Sequence, residues 1–209
     1  MFFMQLGLLG LPIGYLRTAG AILFMSDFPK HIFDRSGLAC LSDLETSEWR
    51  ELYSLLEKEQ SVFLEKQAHF RSPEYKWPRD SLHNWSRVWE YPYVYYHLKR
   101  WRSEYYMRNN FPVVVDFGSG VTFFPFAVAK FGYYVICVDN DPICEKDMQR
   151  AISVIPYSPG KVEFCLNKSL DIPLPNNYAD IIYSISVLEH IPDFTGIISE
   201  MARVLKEDG

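Results

Sequence analysis

A chain of 209 residues with 48% hydrophobic and 22% charged residues is long enough to bury one sizeable core and is not a disordered tail. Its formal charge of −5 argues against broad binding to a phosphate backbone, which depends on lysine and arginine. Cys40, Cys137, Cys144 and Cys165 show no C-x-x-C spacing, so a disulfide framework is not expected; Cys137 and Cys165 fall in apolar strand patterns and read as reduced, buried thiols of a cytoplasmic protein.

Residues 1–25 form an apolar extension. Met1 to Leu16 is nearly uncharged yet holds three glycines, Pro12 and Gln5, which makes a poor membrane span, and no positive charge precedes it as a secretory signal requires. It is expected to be either a misassigned start, with Met25 as the true one, or a peripheral segment packed on the protein; no stable membrane insertion is expected. Residues 26–110 read as a helical, aromatic-rich cap. Ser42 and Glu45 are spaced as a capping box, and Trp49, Leu52, Tyr53, Leu56 and Phe63 recur at helical intervals, predicting a helix from Ser42 to about Arg71. Residues 75–106 hold eleven aromatics, and Pro73, Pro78 and Pro92 predict two or three short helices there. This stretch either fills the space between helices and sheet or forms a stacking wall for a planar or sugar-like substrate, with Glu90 and Tyr91 as candidate substrate contacts. Lys99, Arg100, Arg102 and Arg108 read as a solvated helix face.

Residues 111–209 carry the chemistry. Val113-Val114-Val115-Asp116-Phe117 is a β-branched run ending in an acid, followed by Gly118-Ser119-Gly120-Val121-Thr122, a pattern for a buried strand turning into a nucleotide-binding loop. Glycines at 118 and 120 permit positive φ and a close approach of backbone to ligand. A second buried strand, Tyr133 to Val138, ends at Asp139, at about the 20-residue spacing of a ribose-binding acid. A dinucleotide loop would place a third glycine where Phe123 stands, and Phe123-Phe124-Pro125 is too bulky, so an NAD-dependent oxidoreductase is a distant reading. Beyond these lie a helix from Cys144 to Ile155, a strand from Lys161 to Leu166, a strand from Asp180 to Ile185 and an amphipathic helix from Phe194 to Leu205 with Asp193 as its N-cap. Such alternation predicts an α/β fold, a doubly wound parallel sheet with its ligand at the carboxyl ends of the strands, where Gly118, Asp139 and Ser184 to His190 converge.

Four segments in order resemble the class I S-adenosylmethionine (SAM) dependent methyltransferases, in particular their type 11 small-molecule group: Asp116-Phe117-Gly118-Ser119-Gly120, Val138-Asp139-Asn140-Asp141, Ile172 to Asp180, and Ser186 to Asp193. The resemblance covers about half the chain. It implies a Rossmann-like sheet under a helical cap, SAM as cofactor, and methyl transfer to a small-molecule or glycan-like acceptor; a SAM-binding or sensing protein without catalysis is the alternative. It implies SAM contacts from Asp116, Gly118, Ser119, Gly120, Thr122, Asp139, Asn140, Ser169, Asp171 and Ser184. Asp116 either caps its own turn or meets the SAM amino group indirectly, and Asp139 is expected to grip the ribose hydroxyls. Asn140 flanks the adenine by resemblance, while Asp141-Pro142 reads equally as a helix start. Ser169, with Asp171 as the alternative, closes the adenine site. His190 is the candidate base for a hydroxyl acceptor, since histidines ordinarily titrate near neutrality, unless Glu189 and His190 only organise their loop. Metal-holding relatives carry a glutamate where Ser186 stands, so no catalytic metal is expected, and nucleic acid is not an expected partner. Val204 to Gly209 resembles the turn before a further strand, so the sequence is expected to be a C-terminally truncated fragment.

Overall fold

The computed structural model describes residues 31–34, 39–84, 86–104, 111–169 and 171–209. The apolar extension, Trp85 and Arg108 lie outside these residues. Four parallel strands make the sheet: β1 (Val113–Phe117), β2 (Tyr134–Asp139), β3 (Lys161–Leu166) and β4 (Ile181–Tyr183), in the order β3-β2-β1-β4. Successive side chains of a strand point to opposite faces, and here both faces are covered, so β1 and β2 are apolar almost throughout. Val114, Val135 and Cys137 pack toward one layer. Val115, Phe117, Ile136 and Val138 pack toward the other, against Ile197 and Val204 of α5 (Phe194–Val204). The chain crosses from β1 outward to β2 and β3, then returns to lay β4 on the far side of β1, which creates a switch point at the carboxyl ends of β1 and β4, where open parallel sheets bind ligands.

The first layer carries the cap, α1 (Ser47–Lys66) and α2 (Arg87–Glu104), together with α3 (Phe124–Ala129) and α4 (Pro142–Val154). Aromatic side chains fill it: Phe63 meets Phe70 and Phe126, and Tyr91 meets Phe123 and Phe124 at ring separations of 4.8–6.0 Å. Phe123 and Phe124, too bulky for a pyrophosphate loop, are buried packing elements beneath the cap. Asp141 caps α4 by accepting from the Ile143 N–H with Pro142 in the first turn, and Asp193 caps α5 by accepting from the Gly196 N–H.

Three expectations are corrected. The helix predicted from Ser42 begins at Ser47: Leu41–Glu45 is a 3-10 turn, and Thr46 is the cap, its hydroxyl accepting from the Trp49 N–H at 3.3 Å. Pro92 does not break the aromatic stretch but sits inside α2. Proline at that position removes the hydrogen bond that the Val88 carbonyl would otherwise accept. The indole N–H of Trp49 takes the place of the missing donor, at 2.8 Å, so the defect of one helix becomes its attachment to the other. The thiols are free but not uniformly buried: Cys137 and Cys144 are inside, Cys165 is half-buried and Cys40 is exposed. Within the basic cluster, Arg100 pairs with Asp34 and Glu104, and Arg102 donates to the Phe131 carbonyl. Among the described residues no helix is long and apolar enough to cross a membrane.

Candidate cofactor site

β1 ends where Phe117 leads into a loop that needs positive φ at Gly118 (+72°) and Gly120 (+53°), conformations that cost a side-chain-bearing residue energy. The loop folds back on β2: the N–H groups of Gly118 and Ser119 donate to the Val138 carbonyl at 2.7 and 3.2 Å. One carboxylate oxygen of Asp139 accepts from the Gly120 N–H at 2.8 Å and the other from the Asp141 N–H at 3.0 Å. Each carboxylate oxygen has two lone pairs, so Asp139 still offers one acceptor site per oxygen. Burial pushes its pKa up and the backbone donors pull it back. Close approach explains Gly118 in an unforeseen way: a Cβ there would lie 2.4 Å from a methyl of Val187, in the loop after β4, whereas one at Gly120 would reach 3.3 Å from the Tyr75 hydroxyl.

The cap grips the same loop from the other side. The Tyr75 hydroxyl accepts from the Val121 N–H at 3.1 Å, and Arg71 donates to the Val121 carbonyl at 2.9 Å while its guanidinium lies 3.9 Å from the centre of the Tyr75 ring. Next to them, the Ser72 N–H donates to the buried Asp147 of α4 at 2.8 Å, and the Ser72 hydroxyl donates to its second oxygen.

Between sheet and cap lies a cavity of about 440 Å³, within the usual range for small-molecule sites. The loop side presents Asp116, Gly118, Ser119, Gly120 and Thr122; the β2 and β3 ends present Asp139, Asn140, Asn167 and Ser169; the loop after β4 presents Ser186, Val187 and His190. Tyr91 reaches it from α2. Asp116 is 5% exposed, and burial, reinforced by the charge of Asp139, raises its pKa to about 8 against a partial opposing effect of the nearby Tyr183 hydroxyl. Tyr183 itself is buried and is not among the residues that line the cavity.

Three expected site residues do not line the cavity. The Ser184 hydroxyl donates to the Phe117 carbonyl at 3.0 Å, tying the ends of β4 and β1 together. Asp171 is exposed, its N–H donating to the Ser169 hydroxyl. Glu90 accepts from the Ser186 hydroxyl at 2.6 Å, a link between cap and β4 loop rather than a group facing the cavity. Sequence reasoning also missed contributors. Asn167 is buried, donates its N–H to the Asp139 carbonyl and accepts from the Ser169 N–H; its place one residue beyond β3 was the available signal. Ser81 and Arg87 come from the cap, where no spacing pattern marks them, while Tyr75 and Trp77 belong to the aromatic stretch read as packing or a stacking wall. The aromatic stretch divides its labour, with Trp89, Tyr91 and Tyr95 buried in the core and Trp77, 54% exposed, on the cavity wall. His190 lines the cavity on a half-turn after β4 with its side chain 69% exposed, 3.9 Å from Glu189. Among the described residues no three His, Cys, Asp or Glu side chains group as metal ligands.

Residues 115–209 match the family described as methyltransferase domain. This part of the chain is similar to a methyltransferase domain. It begins inside β1 and includes the glycine loop, Asp139 and the loop after β4. Over 117 residues the chain is 31% identical to sterol 24-C-methyltransferase ERG6B of Gibberella zeae; the match covers 52% of this chain and 30% of that relative, so the chain spans under a third of the relative's length. Solved structures that it is similar to include a SAM-dependent methyltransferase from Aquifex aeolicus (19% identity, TM-score 0.46, 60% of this chain and 64% of the other) and the YcgJ protein from Bacillus subtilis (22% identity, TM-score 0.44, 55% and 48%). The cofactor that such a domain implies is SAM. The cavity suits it: a loop held open by two left-handed glycines, an acid with spare acceptor sites at the next strand end, and a buried acid on β1.

Proposed function

We propose that this chain binds SAM between its sheet and its helical cap and transfers the methyl group to a small-molecule or glycan-like acceptor. The observation that carries this reading is the convergence on one cavity of Gly118, Gly120, Asp116, Asp139 and Asn167 from the sheet with Tyr75, Trp77 and Tyr91 from the cap. When bound, SAM supplies an activated methyl on a sulfonium leaving group, so the protein's part is alignment and exclusion of water. Asp139 serves the ribose hydroxyls through its free lone pairs, Asn140, Asn167 and Ser169 surround the base, and Asp116 stands below the amino end. Trp77, beside the cavity and still half open to solvent, offers a flat apolar face to the acceptor. His190 is the side chain placed to take a proton from a hydroxyl acceptor.

The reading is tested by incubating the full chain with SAM and a panel of phenolic, sterol and sugar acceptors while following S-adenosylhomocysteine. Product formation that His190→Ala lowers for hydroxyl acceptors supports both parts of the proposal. SAM bound without turnover of any acceptor favours a binding protein, and a folded chain that ignores SAM defeats the proposal.

A further inference from the structure

The charges lining the cavity are divided by side. Asp116 and Asp139 stand on the sheet; Arg87, in the first turn of α2, is the sole arginine or lysine among the described lining residues. It forms no ion pair with a carboxylate of the described residues, and Glu90, one turn on, accepts from the Ser186 hydroxyl. A half-buried guanidinium facing a cavity without an anion of its own is a receptor for an anionic ligand group. Tyr91, four residues further along α2 and so on the same helical face, lines the same cavity. Burial raises its pKa to about 12; the neighbouring Ser81 and Thr122 hydroxyls and the charge of Arg87 work against the rise, and the charge of Asp116 adds to it. The Tyr91 phenol thus shares the cavity with Arg87, Asp116 and Thr122.

The methionine end of SAM carries an ammonium and a carboxylate on a single carbon, a pair of opposite charges at the spacing of one functional group. We propose that Arg87 binds the α-carboxylate of SAM, making the cap a direct part of the cofactor site. This assignment rests on the cofactor reading above. It deepens that reading by making the cap selective for the carboxylate of the cofactor's amino acid end.

Calorimetric titration of the full chain with SAM and with decarboxylated SAM, which lacks only that carboxylate, tests the assignment. Arg87→Gln is expected to weaken SAM by about 10- to 100-fold and to leave decarboxylated SAM within about 3-fold of wild type, as loss of one charged hydrogen-bonded pair requires. Arg87→Lys, which keeps the charge but not the planar fork, is expected to recover part of the loss. Equal weakening of both ligands by Arg87→Gln, in protein with an unchanged near-UV spectrum, would mean a general disturbance of the cavity and overturns the proposal. So does a SAM affinity that does not change, which would leave Arg87 to an anionic acceptor. Wild-type protein that binds neither ligand removes the cofactor reading itself, and this assignment with it.

Discussion

The two sides of the cavity are built by different means. On the sheet side the glycine loop is tied to the next strand by residues close in sequence, as between Gly120 and Asp139, 19 positions apart, although Ser184 reaches Phe117 across 67 residues. On the cap side the attachments bridge long separations: 50 residues from Arg71 to Val121, 75 from Ser72 to Asp147 and 96 from Glu90 to Ser186. A loop between consecutive strands can be specified by a short motif, because its partners are delivered by the neighbouring strand. A cap has to be pinned by scattered polar contacts, each dependent on both parts having folded. The glycine loop is where the two meet, held by Asp139 from below and by Tyr75 and Arg71 from above.

The contrast makes the sheet side the more sensitive to single substitutions. Gly118→Ala introduces a Cβ at positive φ, 2.4 Å from Val187, and is expected to cost about 3–4 kcal/mol in urea unfolding; a loss below about 1 kcal/mol would show that the β4 loop yields easily. Asp139→Ala removes the acceptor for two backbone N–H groups together with the ribose contact, and SAM affinity by calorimetry is expected to fall about 100-fold. Asp147→Ala is the matching experiment on the cap: it leaves the Ser72 N–H and hydroxyl without their acceptor in a buried place, with an expected loss of about 2–3 kcal/mol. Loss of SAM affinity with unchanged global stability would instead mean that the cap can loosen without unfolding the sheet.

A pH experiment isolates Asp116. Its pKa in the fold is about 8, above the ordinary carboxylate value of about 4, so between those limits the folded chain keeps a proton that the unfolded chain has lost. Stability is therefore full below about pH 4 and falls as the pH rises toward 8, and Asp116→Asn is expected to flatten that decline in urea midpoints. The smallest effect belongs to the joint between cap helices: Trp49→Phe keeps the ring but loses the donor to Val88 and should cost about 1 kcal/mol.

The alternating apolar runs, Gly118 and Gly120, Asp139, and the helix starts at Asp141 and Asp193 were legible in the sequence because each is a local matter: a period of two, a backbone angle, a side chain reaching its own next turn. Local rules misplaced the first helix start, since Ser42 and Glu45 have capping spacing while Thr46 has the capping conformation. They misjudged Pro92: the Val88 carbonyl that it leaves without a helical donor is satisfied by Trp49, 39 residues away. Ser184, a cofactor contact by resemblance, and Glu90, read as a substrate contact, are each hydrogen-bonded to a distant partner, Phe117 and Ser186. The fold class and the position of the loop were thus determined by the sequence itself. Which polar groups remain free to meet a ligand was decided only in the tertiary structure, because a hydrogen bond to a residue far along the chain leaves no spacing by which to read it.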